Sequence, residues 1–285
     1  MKLKFSLLLI FFFSLRCLAQ PYEREDAFAD HLWENKLYGD AVLQFRRMRT
    51  LPVEGEQRNK LFYRLGYSYE QLGQTDSSLQ AYAKVSLLHP QYLPAFSGSA
   101  QLLLKEKRYA EFAGLSDKFV AFDSSTAALR AYCRSAAALL NGDTAAFRLA
   151  SPGLRFSTEE LNPFVRRLQE QNARLLTMKK RSPFVAGALS ALVPGLGKVY
   201  AGKPRHGIAA FFPIAIIGVQ AFECYRKGGW KDPRFLAYGS LFTAFYLGNI
   251  YGSALSVRVQ RRETIEDIHY VVQADLHIAL ERLRR

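Results

Sequence analysis

The chain has 285 residues, of which 49% are hydrophobic, so it can bury a full core and form more than one structural unit, which excludes a small disulfide-stapled scaffold. The net charge of +14 is unevenly placed, because residues 179–285 carry 16 Lys and Arg against 7 Asp and Glu, whereas residues 1–178 carry 23 against 18. This excess flanks apolar segments instead of covering a soluble face, which argues against a nucleic-acid partner and favours a lipid surface.

Residues 1–19 have the pattern of a secretory signal peptide. Two lysines precede an apolar stretch at 5–13, and small residues stand at the third and first positions before Gln20. We therefore expect cleavage before Gln20. Lipidation of Cys17 is disfavoured because Arg16 takes a position where a small residue is expected, and the apolar run is short for an uncleaved membrane anchor.

Residues 20–154 show a helical repeat and no alternating strand pattern. The clearest unit runs from Asn59 to Tyr92, where small, aromatic and apolar residues are spaced as in two packed helices. Small residues are expected where the two helices touch, aromatic residues beside them, and a proline at the end of the second helix. The residues that carry this pattern are Phe62, Leu65, Gly66, Tyr69, Gly73, Ser78, Tyr82 and Pro90.

Less regular units precede and follow this one. An earlier second helix fits residues 38–48, a third unit begins at Leu93, and a fourth lies within 127–152. Three to four units are enough to bury a continuous core in a repeat array. The spacing resembles the tetratricopeptide repeat, which implies a groove for a peptide or protein partner and no chemistry. Candidates for that groove are Arg64, Glu70, Gln71 and Lys105. The alternative is a spacer whose groove is empty or filled by the chain's own termini.

Residues 155–181 are expected to form an amphipathic helix that connects the array to the membrane, because four apolar residues roughly share a face. They are Phe164, Leu168, Leu175 and Met178. Three charge-free apolar segments follow, and together they predict a helical membrane domain over 182–257 with two to three transmembrane segments. They lie at 182–197, 207–222 and 235–257. The third is long enough to cross a bilayer, and the second is so only with Glu223 at the interface. The first crosses, dips in and returns, or packs as a short helix. The predicted fold class is all-α throughout.

A glycine-rich turn joins the first two apolar segments. A phosphate-binding loop is excluded because Val199 follows Lys198, and a dinucleotide fingerprint because Tyr200 takes its last glycine position. The pattern that remains consists of Pro194, Gly195, Gly197, Tyr200, Gly202 and Gly207. It resembles the turn of small bacterial membrane domains with paired transmembrane helices, which occur at the ends of periplasmic repeat proteins of Bacteroidetes-like bacteria. The resemblance implies a membrane location and a helical hairpin. Basic residues that can reach lipid phosphates from this turn are Lys198, Lys203 and Arg205.

The tail at 258–285 is predicted to be a separate amphipathic helix. It lies on the membrane, packs back on the repeats, or pairs with a partner. If all three apolar segments cross, the tail and the array lie on opposite sides of the membrane. If the first segment does not cross, they lie on the same side.

Catalytic patterns are weak. His269 lies beside Glu266 and Asp267 without the spacing of a metalloprotease helix, and Glu223 either serves a proton or cation path or marks the interface. We therefore predict no enzyme activity, no metal and no cofactor. The predicted function is a periplasmic adaptor, anchored in the bacterial inner membrane, that holds a protein or peptide partner near the bilayer and has membrane lipid as its other partner. The alternative makes the membrane domain the active part, in envelope biogenesis, secretion or membrane-protein insertion.

Overall fold

The computed structural model describes residues 22–52, 54–152, 154–155 and 159–284, and these residues form helices and no strand. The all-α fold class is confirmed. The expected signal peptide at 1–19 lies outside the described residues. The chain divides into two compact units. We call the described residues up to Gln169 and from Val272 the array unit, and Glu170–Val271 the hairpin unit.

The array unit begins with four successive pairs of helices. The pairs are α1 (22–34) with α2 (Tyr38–Met48), α3 (Gly55–Gln71) with α4 (Thr75–Tyr82), α5 (Tyr92–Lys105) with α6 (Tyr109–Lys118), and α7 (Ser124–Leu140) with α8 (Thr144–Ala150). From α2 to α8, each helix contacts the next one along the chain. Buried apolar residues of α1 to α5 form one core cluster, from Ala29 to Leu102.

The same turn closes the first helix of every pair. Its middle residue has a left-handed backbone, with φ of 60° at Lys36, 70° at Gly73, 58° at Lys107 and 72° at Gly142. In each turn the N–H of the next residue donates to the carbonyl five residues earlier, over 2.8 to 2.9 Å. This hydrogen bond satisfies a carbonyl at the helix end that the helix itself leaves unpaired. The turns recur every 34 to 37 residues, which gives the array its period.

The centre of the Asn59–Tyr92 unit contains most of the residues that the sequence pattern singled out. Phe62, Leu65 and Tyr82 are buried. The Ser78 hydroxyl donates to the carbonyl of Gly66 over 2.8 Å, and the Tyr82 ring lies between Gly66 and a glycine of α5, Gly98. Small residues therefore meet an aromatic ring where the helices touch, as the pattern requires.

Two of the pattern residues are placed differently. Tyr69 is only half-buried, and Pro90 is exposed and lies well beyond Tyr82, where α4 ends. The expectation that Pro90 ends the second helix is therefore wrong. The N–H of Ser86 donates to the side chain of Asn59 over 2.6 Å, and this contact with the start of α3 holds residues 83–91 as a series of turns.

The array unit is completed by the first part of α9 (Asn162–Thr177) and by the end of α13 (Pro233–Arg284). Helix α9 is shorter than the predicted 155–181, and a short 3-10 turn at Glu159–Leu161 precedes it. Apolar side chains of both segments are buried, namely Leu161, Phe164, Val165 and Leu168 with Val272, Leu276, Ala279 and Leu280.

The hairpin unit contains the rest of α9 and α13 with α10 (Pro183–Leu192), α11 (Leu196–Tyr200) and α12 (Pro204–Gly228). The predicted boundary at 257/258 is absent, because α13 continues through it as one helix of 52 residues. No Gly or Pro follows Gly252 in the sequence, so nothing interrupts the helix there.

The described residues contain one helix, α12, that is long and apolar enough to cross a membrane. Only 17% of its most apolar window is buried within the chain. The apolar stretch of α13 includes Asn249 and Ser253, and these polar residues lower its hydropathy. Helix α10 is apolar but has ten residues, which corresponds to about 15 Å, or half of a hydrocarbon core.

Candidate functional site

The glycine-rich turn makes a tight contact between α10, α11 and the start of α12. Gly195 has a left-handed backbone, with φ of 86°, and a side chain at this position would overlap the carbonyl of Gly207. A Cβ on Gly197 would overlap the carbonyl of Ala186 on α10. The spacing of glycines in this motif is therefore set by close backbone contacts and not by a phosphate ligand.

The two ends of the α10–α11 segment lie together. The N–H of Ser182 donates to the Tyr200 hydroxyl over 3.2 Å, and the Arg181 guanidinium donates to the carbonyl of Ala201 over 2.6 Å. The segment that begins at Ser182 therefore returns to the same place by Ala201. This return fits a segment that dips in and returns or one that packs as a short helix, because both leave the two ends of the segment together.

Buried hydroxyls join this short hairpin to α13. The Ser190 hydroxyl donates to that of Ser253 over 2.7 Å and accepts the N–H of Gly197 over 2.9 Å. Nearby, Tyr246 donates to the carbonyl of Ala191 over 2.6 Å. These bonds satisfy polar groups that the surrounding apolar side chains cannot.

A first cavity in the hairpin unit, of about 480 Å³, has mainly apolar walls from α12 and α13. Asn249 lines it, is 5% exposed, and has a side-chain amide without a hydrogen-bond partner at either polar atom among the described residues. Lys198 lies at the same cavity. Pro213 also lines it, and because proline has no N–H the α12 helix lacks one backbone bond there.

A second cavity in the hairpin unit, of about 540 Å³, is strongly basic. It lies between residues 174–181, Ala201 and the 257–264 turn of α13. Its cations are Arg174, Lys179, Lys180, Arg181 and Arg261. No carboxylate is among the described residues that line it.

Three residues that the sequence suggested for phosphate or proton chemistry line neither cavity. They are Lys203, Arg205 and Glu223. Lys203 forms an ion pair with Glu263 over 2.9 Å, and Arg205 is exposed. Glu223 is exposed and forms an ion pair with Lys227, one turn further along α12, over 3.4 Å. This arrangement is typical of a helix end at an interface.

The end of α13 bonds to residues of α5, α6 and α9 in the array unit. Arg167 of α9 donates twice to the Asp275 carboxylate, over 2.7 and 2.8 Å. Gln101 of α5 donates to Glu281 over 2.8 Å, and Gln273 bonds to the Tyr109 hydroxyl over 2.6 Å. Burial, with the charge of Asp275, raises the pKa of Tyr132 on α7. The chain's own tail therefore covers this part of the array.

Two of the four groove candidates also have internal partners. Arg64 forms an ion pair with Asp30 of α1 and stacks over Trp33, with 5.4 Å from its guanidinium carbon to the ring centre. Burial lowers the pKa of Arg64. Glu70 accepts a hydrogen bond from the Tyr82 hydroxyl over 2.6 Å. Gln71 and Lys105 are exposed.

The array unit has its own open cavity, of about 770 Å³, between α2 and the α3–α4 turn. Leu43 and Leu72 line it and are 64% and 42% exposed. Its charged residues are two arginines, Arg46 and Arg49, and one carboxylate, Asp40, and Tyr69 lies at the cavity wall. The half-buried position of Tyr69 is explained by this cavity. We call this surface the α2–α4 cavity.

Comparison with family models, curated proteins and solved structures found no match. Within the described part of the chain, no group of three or more His, Cys, Asp or Glu is arranged to hold a metal ion.

Sequence reasoning missed the basic cavity as a site. The run Lys179–Arg181 is visible before the first apolar segment, and Arg261 is visible after the third. Only the folded hairpin brings the two together, because about 80 residues separate them in the sequence. The sequence did contain an indication of this site, because Lys179–Arg181 and Arg261 both stand at ends of apolar segments, where cations commonly reach lipid headgroups.

Proposed function

We propose that this protein is an adaptor anchored in the bacterial inner membrane, with a tetratricopeptide-like array that holds a protein or peptide partner in the periplasm. Membrane insertion is supported by exposed apolar side chains on two long helices. On α12 these are Ile208, Phe212, Ile216, Val219 and Phe222, and on α13 they are Leu236, Leu247, Tyr251 and Leu255. Apolar surface of this extent is characteristic of contact with lipid or with another protein.

The anchor crosses the membrane twice. Helix α10 is too short to span a bilayer, and the contacts of Tyr200 and Arg181 return the chain to the end where it entered. In this proposal α12, the one described helix that is apolar enough to cross by itself, pairs with the less apolar first part of α13 as the second crossing. The buried hydroxyl of Ser253 points toward Ser190 inside the protein, which is where a polar residue is tolerated in a membrane helix.

Two crossings agree with the contacts of the tail. Because Asp275 and Glu281 bond to residues of α9 and α5, the tail and the array must lie on the same side of the membrane. An even number of crossings satisfies this condition, whereas three crossings do not. The periplasmic side follows from the signal peptide predicted at 1–19.

The partner surface that the geometry favours is the α2–α4 cavity, which is the single observation that carries the adaptor function. The tail bonds to α5, α6 and α9, so a partner at these positions would have to displace it. The α2–α4 cavity is open, presents exposed leucines, and is lined by two arginines against one carboxylate, Asp40, which leaves it net positive. These features suit a short apolar peptide segment that carries acidic residues.

Site-specific photo-crosslinking in intact cells tests this proposal. A crosslinking residue at Leu43 is expected to give a defined adduct that Arg46→Glu weakens about tenfold or more, by loss and reversal of a charge contact. The matched control position is Leu149 of α8, which is 84% exposed and lies outside the cavity. Equal adducts at both positions, or none at Leu43, would reject the cavity as the partner site.

A role for the membrane part itself is the second candidate, and Asn249 is the observation that favours it. A buried amide with no partner at the wall of a 480 Å³ cavity is costly unless a ligand or client satisfies it. In this case Asn249→Leu would abolish function in cells without lowering protein level, while Arg46→Glu would have no effect. The reverse pattern supports the adaptor.

A further inference from the structure

The basic cavity of the hairpin unit has an unbalanced charge that its protein neighbours do not neutralise. Five cations line it, and none of them forms an ion pair within the described part of the chain. Arg181 donates to the carbonyl of Ala201, and Arg174 donates to the side-chain oxygen of Gln171 over 2.9 Å. Both acceptors are neutral, so the positive charge remains.

Two carboxylates on the adjacent part of α13 are paired with other cations, and Asp267 beside them does not line the cavity. Glu263 pairs with Lys203, and Glu266 pairs with Arg262 over 3.1 Å. The like charges around the cavity repel one another, and an anion bound among them would replace repulsion with attraction. Because three of the cations are arginine, planar donors are available for the oxygens of a phosphate group.

The cavity lies where the apolar segments of the hairpin unit begin and end. Ser182 starts α10, Ala201 follows α11, and Val257 stands at the end of the apolar stretch of α13. Met178 and Val257 add apolar side chains to the cavity wall. A ligand with an anionic head and an adjoining apolar chain therefore fits this place better than a wholly soluble anion.

We propose that this cavity binds the phosphate headgroup of an anionic phospholipid. The inference rests on the membrane location in the proposed function, and it goes beyond it by assigning a specific lipid site to residues 174–181 and Arg261. Bound lipid would fix the end of α9 against α13 by bridging cations of both segments. The stability of the hairpin unit would then depend on the charge of the lipid headgroup as well as on the apolar interior of the bilayer.

The test uses the full-length protein purified in a neutral detergent, with thermal unfolding followed by tryptophan fluorescence. The three additives are phosphatidylglycerol, phosphatidylcholine and the soluble headgroup glycerol 3-phosphate. We expect phosphatidylglycerol to raise the Tm in a saturable manner, and the other two to leave it unchanged at equal concentration. A Tm rise with glycerol 3-phosphate as large as that with phosphatidylglycerol would assign the cavity to a soluble anion and overturn the lipid site.

A triple variant with a matched control locates the site. Lys179→Gln, Lys180→Gln and Arg261→Gln together are expected to weaken the apparent affinity for phosphatidylglycerol about 100-fold, from about one kcal/mol for each cation at a membrane surface. The control variant removes three cations that do not line the cavity, with Arg205→Gln, Arg258→Gln and Arg262→Gln. Equal weakening in the two variants would show general surface attraction and overturn the assignment.

The wild-type comparison of phosphatidylglycerol with phosphatidylcholine needs no variant, so a poorly folded triple variant does not remove the test. Extraction of cell membranes with alkaline carbonate tests membrane integration separately. A protein that resists extraction but shows no preference for the anionic lipid contradicts the lipid site alone, whereas a protein released by carbonate contradicts the membrane anchor and the lipid site with it.

Discussion

Opposite substitutions in two of the four equivalent turns should have opposite effects on stability. Gly73 and Lys107 occupy the same left-handed position at the ends of α3 and α5, with φ of 70° and 58°. We expect Gly73→Ala to destabilise its helix pair and Lys107→Gly to stabilise its own. Lys107 is exposed, and a Cβ added at Gly73 meets nothing within 4 Å, so side-chain packing contributes little at either position.

The magnitude follows from two opposing backbone effects. A left-handed conformation costs a residue with a Cβ about 1–2 kcal/mol. Glycine avoids this cost but loses about 0.5–1 kcal/mol more than alanine through its freedom in the unfolded chain. The net change in the free energy of unfolding is therefore about 0.5–1 kcal/mol, unfavourable for Gly73→Ala and favourable for Lys107→Gly.

Hydrogen exchange read by mass spectrometry measures each pair within the full-length chain. Peptides of α3–α4 should exchange about two- to fivefold faster in Gly73→Ala, and peptides of α5–α6 about two- to fivefold slower in Lys107→Gly. Gly114→Ala is the matched control, because Gly114 lies inside α6 with open space around it and should gain about 1 kcal/mol of helix propensity. If Gly73→Ala and Gly114→Ala change exchange in the same direction, the shared turn geometry is refuted.

Three other perturbations test the remaining contacts. Gly197→Ala should greatly reduce the yield of monodisperse protein in detergent, because the added methyl group would overlap the carbonyl of Ala186. The control Gly248→Ala should keep the yield, because a methyl group there meets nothing within 4 Å. Equal yields of the two variants would contradict the tight hairpin. Asp275→Asn should speed hydrogen exchange in the tail about tenfold by removing a charge-assisted pair with Arg167, and an unchanged rate would contradict the tail contact. Burial raises the pKa of the Cys133 thiol to about 12. In a chain without other cysteines, this thiol should therefore react with iodoacetamide at pH 8 more than about 100-fold faster after unfolding. Comparable rates before and after unfolding would exclude its burial.

Local patterns in the sequence were enough to predict the helix pairs of the array. Apolar residues at helical spacing specify which face is buried, and Gly73 and Gly142 indicate helix ends because glycine favours the left-handed backbone. Lys36 and Lys107 adopt the same backbone without glycine, so two of the four turns had no such signal. The left-handed backbone of these two lysines is recognised only when the four turns are compared in the structure.

Contacts between distant residues account for what the sequence could not predict. Helix α4 ends at Tyr82, and Asn59, 27 positions before Ser86, bonds to the segment that follows the helix. The close approach of Gly197 to the carbonyl of Ala186 brings α11 against α10, and composition alone left crossing, returning and packing as a short helix open. The basic cavity likewise needs cations from both ends of the hairpin unit.

The expected boundary at 257/258 followed from a change in composition, since apolar residues give way to charged ones there. Composition is a guide to environment and not to helix ends, which require a cap or a breaker. With neither present after Gly252, α13 runs on into the tail. The same reasoning could have predicted one continuous helix from the sequence.

The most direct test of the account is the side of the membrane on which the array, the α12–α13 connection and the tail lie. Single cysteines at the exposed positions Gln80, Lys231 and His277, in a chain without other cysteines, can be labelled in cells with a membrane-impermeant thiol reagent after the outer membrane is made permeable. The two-crossing anchor predicts labelling at Gln80 and His277 and protection at Lys231. Labelling of Gln80 and Lys231 with protection of His277 would mean three crossings, and would contradict both the returning segment and the tail contact with the array.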